Sequence, residues 1–160
     1  MDPTRPRVQV AVVMEREAQP NRWEDWRFSV IEVVIDEGFG TDARVLRDDG
    51  KRRRSLHPGF ALELFKDEAE GYFLNLTSGS PVWFVMWRAS EDDPPQAQPE
   101  AVSLSYNEAG RWLDAQERVD NVPLPADLVA WLQAFTDEHY RPEPKKRKRP
   151  ASFLPPEKRQ

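Results

Sequence analysis

The sequence predicts a mainly β protein of the α+β class: an antiparallel open barrel or curled sheet of seven or eight short strands, followed by two helices, the last packing on the sheet. Two observations lead there. Short runs rich in β-branched and aromatic residues, many with apolar residues at every second position, recur from Val8 to Tyr106 and carry the period of strands. Beyond Asn107 the pattern lengthens to that of an amphipathic helix.

The first strand is read from Val8, Val10, Val12 and Met14, which share one parity in "VQVAVVM". A second, longer one follows in "WRFSVIEVVI", Trp26 to Ile35. Gly38 and Gly40 mark a loop, and Asp49-Gly50 is a hairpin signal whose arms, within residues 43–57, carry Arg44, Arg47, Lys51, Arg52, Arg53 and Arg54. "FALELFK", "YFLNL" and "PVWFVMW" supply further strands, the last apolar on both parities and so expected to be buried on both faces. The acidic, proline-rich residues 90–100 read as an exposed loop before the strand "AVSLSY". Asn107 is then expected to cap a short helix, with Glu108 in its first turn and Trp112 and Leu113 facing inward. A second helix from about Ala126 to Tyr140 places Leu128, Trp131, Leu132, Phe135 and His139 on one stripe.

These elements divide the 160 residues into an N-terminal tail (1–7), one β-rich domain (8–140) and a flexible basic tail (141–160) that begins where Pro142 and Pro144 end the helix. Charge follows the same division. The net charge is −5, yet residues 141–160 hold eight basic and two acidic residues, so the tail carries about +6 and the remainder about −11. Such a body repels phosphate. The absence of cysteine excludes disulfides, thiolate metal sites and a cysteine nucleophile. The longest apolar stretch, "VWFVMW", is too short for a membrane span, and the opening residues lack a signal-peptide pattern. A cytoplasmic protein without membrane insertion is expected.

The search for chemistry finds few groups that converge. His57 sits beside Pro58-Gly59, expected to be a turn, and His139 lies on the last helical stripe. No nucleophile elbow, phosphate-cradling loop, dinucleotide fingerprint or paired-histidine zinc motif is present. Asp67, Glu68 and Glu70 are neighbouring carboxylates, but in a chain with 28 acidic residues chance accounts for them. The expectation is therefore a protein that is not an enzyme and holds no cofactor. Trp83, Trp87, Trp112 and Trp131 read as core residues, whereas Trp23 and Trp26, in the polar turn "PNRWEDWR", either plug the barrel end or form an exposed aromatic anchor. Trp23 and Trp26, with Arg52, Arg53 and Arg54 of the hairpin and Lys145, Lys146, Arg147, Lys148 and Arg149 of the tail, form the candidate partner-binding set for an acidic protein. Two other readings stay open. One is nucleic-acid binding through the tail and hairpin, disfavoured by the acidic body; the other is an undiscovered small-molecule enzyme using His57, Tyr106 and the Asp67/Glu70 neighbourhood.

The ordered segments "VVMER", "NRW", "LELF", "EGYFLNL", "SYNEA" and "HYRPEP", the last followed by a basic run, resemble the bacterial domain of unknown function family 3305 over about Val8 to Arg149. That family has no assigned activity and no catalytic residues to carry over. The resemblance implies an accessory role, because such genes neighbour molybdenum formate dehydrogenase operons together with a ferredoxin and a molybdoenzyme chaperone. The implied partners are formate dehydrogenase subunits or their chaperone.

Overall fold

A computed structural model describes residues 6–19, 25–92 and 94–142. Trp23 and the basic run 145–149 lie outside the described residues, as do most of the two expected tails. The chain runs β1 (Arg7–Ala18), β2 (Trp26–Ile35), β3 (Arg44–Asp48), β4 (Arg52–Glu63), a short 3-10 helix (Lys66–Glu68), α1 (Ala69–Leu76), β5 (Val82–Ala89), β6 (Ala97–Ser103), α2 (Tyr106–Asp114), β7 (Arg118–Pro123) and α3 (Ala126–His139). The predicted class holds: the fold is mainly β and entirely antiparallel in its pairings. Its strands divide between a four-stranded sheet, ordered β2-β1-β4-β3, and a three-stranded sheet, ordered β6-β5-β7, with no closed barrel.

β1 is central in the first sheet because both its faces are apolar. Val10, Val12 and Met14 join the main core, whereas Ala11 and Val13 pack with Leu56 on the opposite face. β5 is central in the second sheet for the same reason, with Trp83 to Trp87 all buried. The main core lies between the sheets and is completed by Tyr72 of α1 and by Leu128, Leu132 and Phe135 of α3, so the expected stripe of the last helix faces inward. A hydrogen bond joins the sheets directly. A register shift opposite Val13 and Met14 of β1 leaves Ile31 as an extra residue in β2, and the Val30 amide donates to Asp120 Oδ2 of β7 at 2.8 Å.

Several local expectations are corrected. "YFLNL" is helix, not strand: its alternation at Tyr72, Leu74 and Leu76 is broken by the tertiary context, which buries Tyr72 and Asn75 on one side of α1 and exposes Leu74. His57-Pro58-Gly59 is not a turn. β4 passes straight through it, with Pro58 and Gly59 bulged opposite Ala11, a position where proline's missing donor is tolerated. β6 begins at Ala97, inside the segment read as loop, and β7 separates the two last helices, its polar "RVDN" giving little alternation signal. The cap of α2 is Ser105 rather than Asn107: Ser105 Oγ accepts from the Glu108 amide at 3.1 Å. Leu113 is 57% exposed, against the inward position expected of it.

The segments "EGYFLNL" and "SYNEA" meet at one junction. Asn75, almost fully buried, donates to the carbonyls of Val82 (2.8 Å) and Leu104 (3.0 Å) and accepts from the Val82 amide (3.0 Å). Tyr72 Oη accepts from the Phe65 amide at 3.0 Å. Ser105 Oγ donates to Glu68 Oε2 at 2.6 Å, and Arg111 pairs with the other oxygen of Glu68. Gly71 is pressed against this cluster: a Cβ there would stand 2.0 Å from Ser105 Oγ. Gly71→Ala is therefore expected to cost about 3 kcal/mol through overpacking. Gly110→Ala in α2, where an added Cβ meets nothing within 4 Å, is expected to be neutral or to stabilise by about 0.5 kcal/mol. Urea unfolding of both variants checks the contrast, and equal losses would show that the Gly71 contact is not limiting.

Candidate partner-binding face on the basic hairpin

The β3–β4 hairpin is built by its turn. The Asp49 amide donates to the Arg52 carbonyl at 3.1 Å, and Gly50 takes a φ of 86°, which suits glycine. One carboxylate oxygen of each aspartate is engaged by this turn. Asp48 Oδ1 accepts from the Gly50 amide (2.9 Å), and Asp49 Oδ1 accepts from the amides of Lys51 (3.0 Å) and Arg52 (2.8 Å). Those two amides hold the Asp49 carboxyl below its ordinary range. Residues 44–54 contain six basic and two acidic residues, a net charge of +4 on an acidic body.

Strand alternation then sorts the arginines by face. Arg52 and Arg54 stand on the outer face of the sheet, where Arg54 Nε reaches buried Glu15 at 2.8 Å and Arg52 reaches Glu17 at 3.4 Å. Arg52, Arg54 and Glu15, with Arg47, Asp49 and Lys51, line a shallow depression of about 220 Å³. Arg44 lies 5.4 Å from the ring centre of Phe39. The loop carrying Phe39 is fixed by Asp36, whose carboxylate accepts from the amides of Phe39 and Gly38 at 2.8 and 3.0 Å and is held below its ordinary range by them. All five residues of β3 are exposed, including Val45 (47%) and Leu46 (51%).

Arg53 belongs to the other face. It pairs across the ladder with Arg16, whose charged form is disfavoured by burial and then by Arg53. Arg16 donates to the Pro95 carbonyl at 3.0 Å and lies over the Trp26 ring at 4.5 Å. Trp26 is half-buried and, with Asp25, Phe28, Asp92 and Pro95, lines an open hollow of about 400 Å³. The structure thus brings Arg52 and Arg54 together and places Arg53 and Trp26 elsewhere. What sequence reasoning missed is the exposed pair Val45-Leu46. Its signal was present in "RVLRD", two apolar residues between arginines.

The groups considered for catalysis are also separated. His57 is in β4, with Nε2 2.9 Å from Ser55 Oγ, and Tyr106 opens α2 with its ring against Phe84. Asp67 and Glu70 line a third hollow with Lys66, His139, Tyr140 and Arg141, without His57 or Tyr106. Among the described residues, no three His, Asp or Glu side chains group to hold a metal, and no helix is long and apolar enough to cross a membrane.

Burial lowers the His57 pKa from its ordinary 6.5. The unfolded chain therefore takes up the imidazole proton before the folded chain does. Stability is expected to fall as pH drops from 7.5 to 5.5. The depressed carboxylates of Asp36, Asp49 and Glu117 act in the same direction, but below this window. His57→Gln, which keeps a partner for Ser55, is expected to flatten the dependence in urea titrations at the two pH values; an unchanged slope would assign it to other groups.

No curated protein and no solved structure matches the chain. A family model described as protein of unknown function (DUF3305) matches residues 9–149. By that match over most of its length, the chain belongs to the DUF3305 family.

Proposed function

We propose that this protein is a non-catalytic accessory factor that binds an acidic partner protein through its basic hairpin. The proposed partners are subunits of a molybdenum formate dehydrogenase or their chaperone, and the proposed role is assembly, maturation or the electron-transfer complex of that enzyme. One observation supports the binding mode above the others: a hairpin of net charge +4, each of whose aspartates has one oxygen engaged by turn amides, with two exposed apolar side chains among its arginines. Charge complementarity of this kind steers association and selects against like-charged partners. The enzyme's identity rests on the family resemblance and its implied gene neighbours. Nucleic acid fits less well, because residues 44–54 set no aromatic side chain among the basic ones on which bases could stack.

Affinity purification from a native host tests this reading. Formate dehydrogenase subunits or their chaperone are expected to co-purify with the wild-type chain and to drop at least tenfold with Arg44→Glu/Arg47→Glu, both exposed positions. A truncation after Tyr140 separates the tail's share from the hairpin's. Normal formate dehydrogenase activity in a deletion strain, with no partner recovered, would overturn the proposal.

A further inference from the structure

We infer that β3 is a docking edge for an extended acidic segment of the partner, which adds to the four-stranded sheet as a fifth strand. This rests on the partner-binding reading above and specifies its mode. Four strands form sheet edges: β2 and β3 in one sheet, β6 and β7 in the other. Three of them are engaged or blunted. β2 is tied to β7 through the Val30 amide and Asp120, β6 contains Pro99, and β7 ends in Pro123. β3 has β4 on one side, no strand of the described residues on the other, no proline, and all five residues exposed. An edge of this kind presents a row of unpaired amides and carbonyls to an incoming chain.

The charges on the hairpin choose the occupant. Arg52 and Arg54 are turned toward Glu17 and Glu15 of β1, at 3.4 and 2.8 Å. Arg44, Arg47 and Lys51 make no such close pair among the described residues: Arg44 lies over the Phe39 ring at 5.4 Å, and Arg47, on the outer face and 73% exposed, approaches Asp49 only at the 4.0 Å limit. A guanidinium fork matches a carboxylate. A register shift between Val45 and Arg47 bulges Leu46, so the edge offers two apolar side chains flanked by two arginines. The complementary ligand is a strand with carboxylates for Arg44 and Arg47 and an apolar residue between them. A second copy of the chain is disfavoured, since two hairpins of net charge +4 would face one another.

The test uses the full chain and four probes: a nine-residue alternating Glu–Val peptide, the same peptide with alternate backbone amides N-methylated, its Lys–Val counterpart, and a single-stranded oligonucleotide. Amide exchange followed by NMR is expected to slow at least tenfold across Arg44–Asp48 on adding the Glu–Val peptide. N-methylation, which keeps the charge and removes edge donors, and Arg44→Glu/Arg47→Glu are each expected to weaken binding at least tenfold, and the Lys–Val peptide is expected not to bind. Equal binding of the N-methylated peptide would overturn strand addition while leaving the charged face as the binding site. No binding of the Glu–Val peptide, with partner capture still lost in the arginine variant, would overturn the edge alone; loss of neither would overturn both readings. Tighter binding of the oligonucleotide, or a mass that doubles without peptide, would replace the acidic strand by nucleic acid or by a second copy.

Discussion

The carboxamide of Asn75 ties the helical layer to the second sheet. A buried amide can both donate and accept, and here it does so to three backbone groups, two at the entrance of β5 and one at Leu104, just beyond β6. Removing it would leave the backbone groups of Val82 and Leu104 without partners in an apolar setting, where each costs about 1–3 kcal/mol. Much of the surrounding chemistry serves the same junction. Glu68 joins Ser105 and Arg111, Tyr72 holds the Phe65 amide, and Gly71 allows α1 to approach the start of α2. Carboxylates that looked available for acid–base work in "FKDEAEGY" are, in the case of Glu68, structural ties.

With α1 held there, Tyr72 meets Phe135 edge-on at 5.8 Å and Phe73 stacks on Tyr140 at 4.5 Å. The last helix is thereby seated on α1 and contributes Leu128, Leu132 and Phe135 to the core. The four-stranded sheet presents its inner face to that core and covers its outer face only around Ala11, Val13 and Leu56. The hairpin extends beyond the covered area. Its exposed Val45 and Leu46 have no core to serve, and this part of the sheet is the one proposed to meet a partner.

The same alternation that builds the sheet distributes its charges. Adjacent arginines in "RRR" cannot act as one patch, because successive side chains of a strand point to opposite faces. Arg52 and Arg54 meet the carboxylates of β1, while Arg53 confronts Arg16 on the inner side. The face that remains basic is shifted to β3, whose Arg44 and Arg47 stood among the hairpin arginines but outside the candidate set read from the sequence. Trp26, read as a companion of these arginines, is instead packed beneath Arg16 and beside the acidic residues Asp25 and Asp92.

The sequence by itself determined the class, the doubly buried strand β5, the hairpin turn and the inward stripe of the last helix, but not the second apolar face of β1. Each of these rests on local chemistry: a period of two or 3.6, a glycine at positive φ, aspartates that cap their own turn. It also carried the family, through the ordered motifs "EGYFLNL" and "SYNEA", without saying what they were for. Only the tertiary structure decided that "YFLNL" is helical, that Pro58-Gly59 bulges inside a strand, and that β7 parts the last helices. In each case a long-range partner outweighs the local preference: Leu104 for Asn75, Ala11 for the bulge, β5 for β7. The edge position of β3, on which the proposed docking rests, is of the same kind, since whether a strand lies at the edge of a sheet depends on its neighbours, and those are set by pairings between residues far apart in the chain.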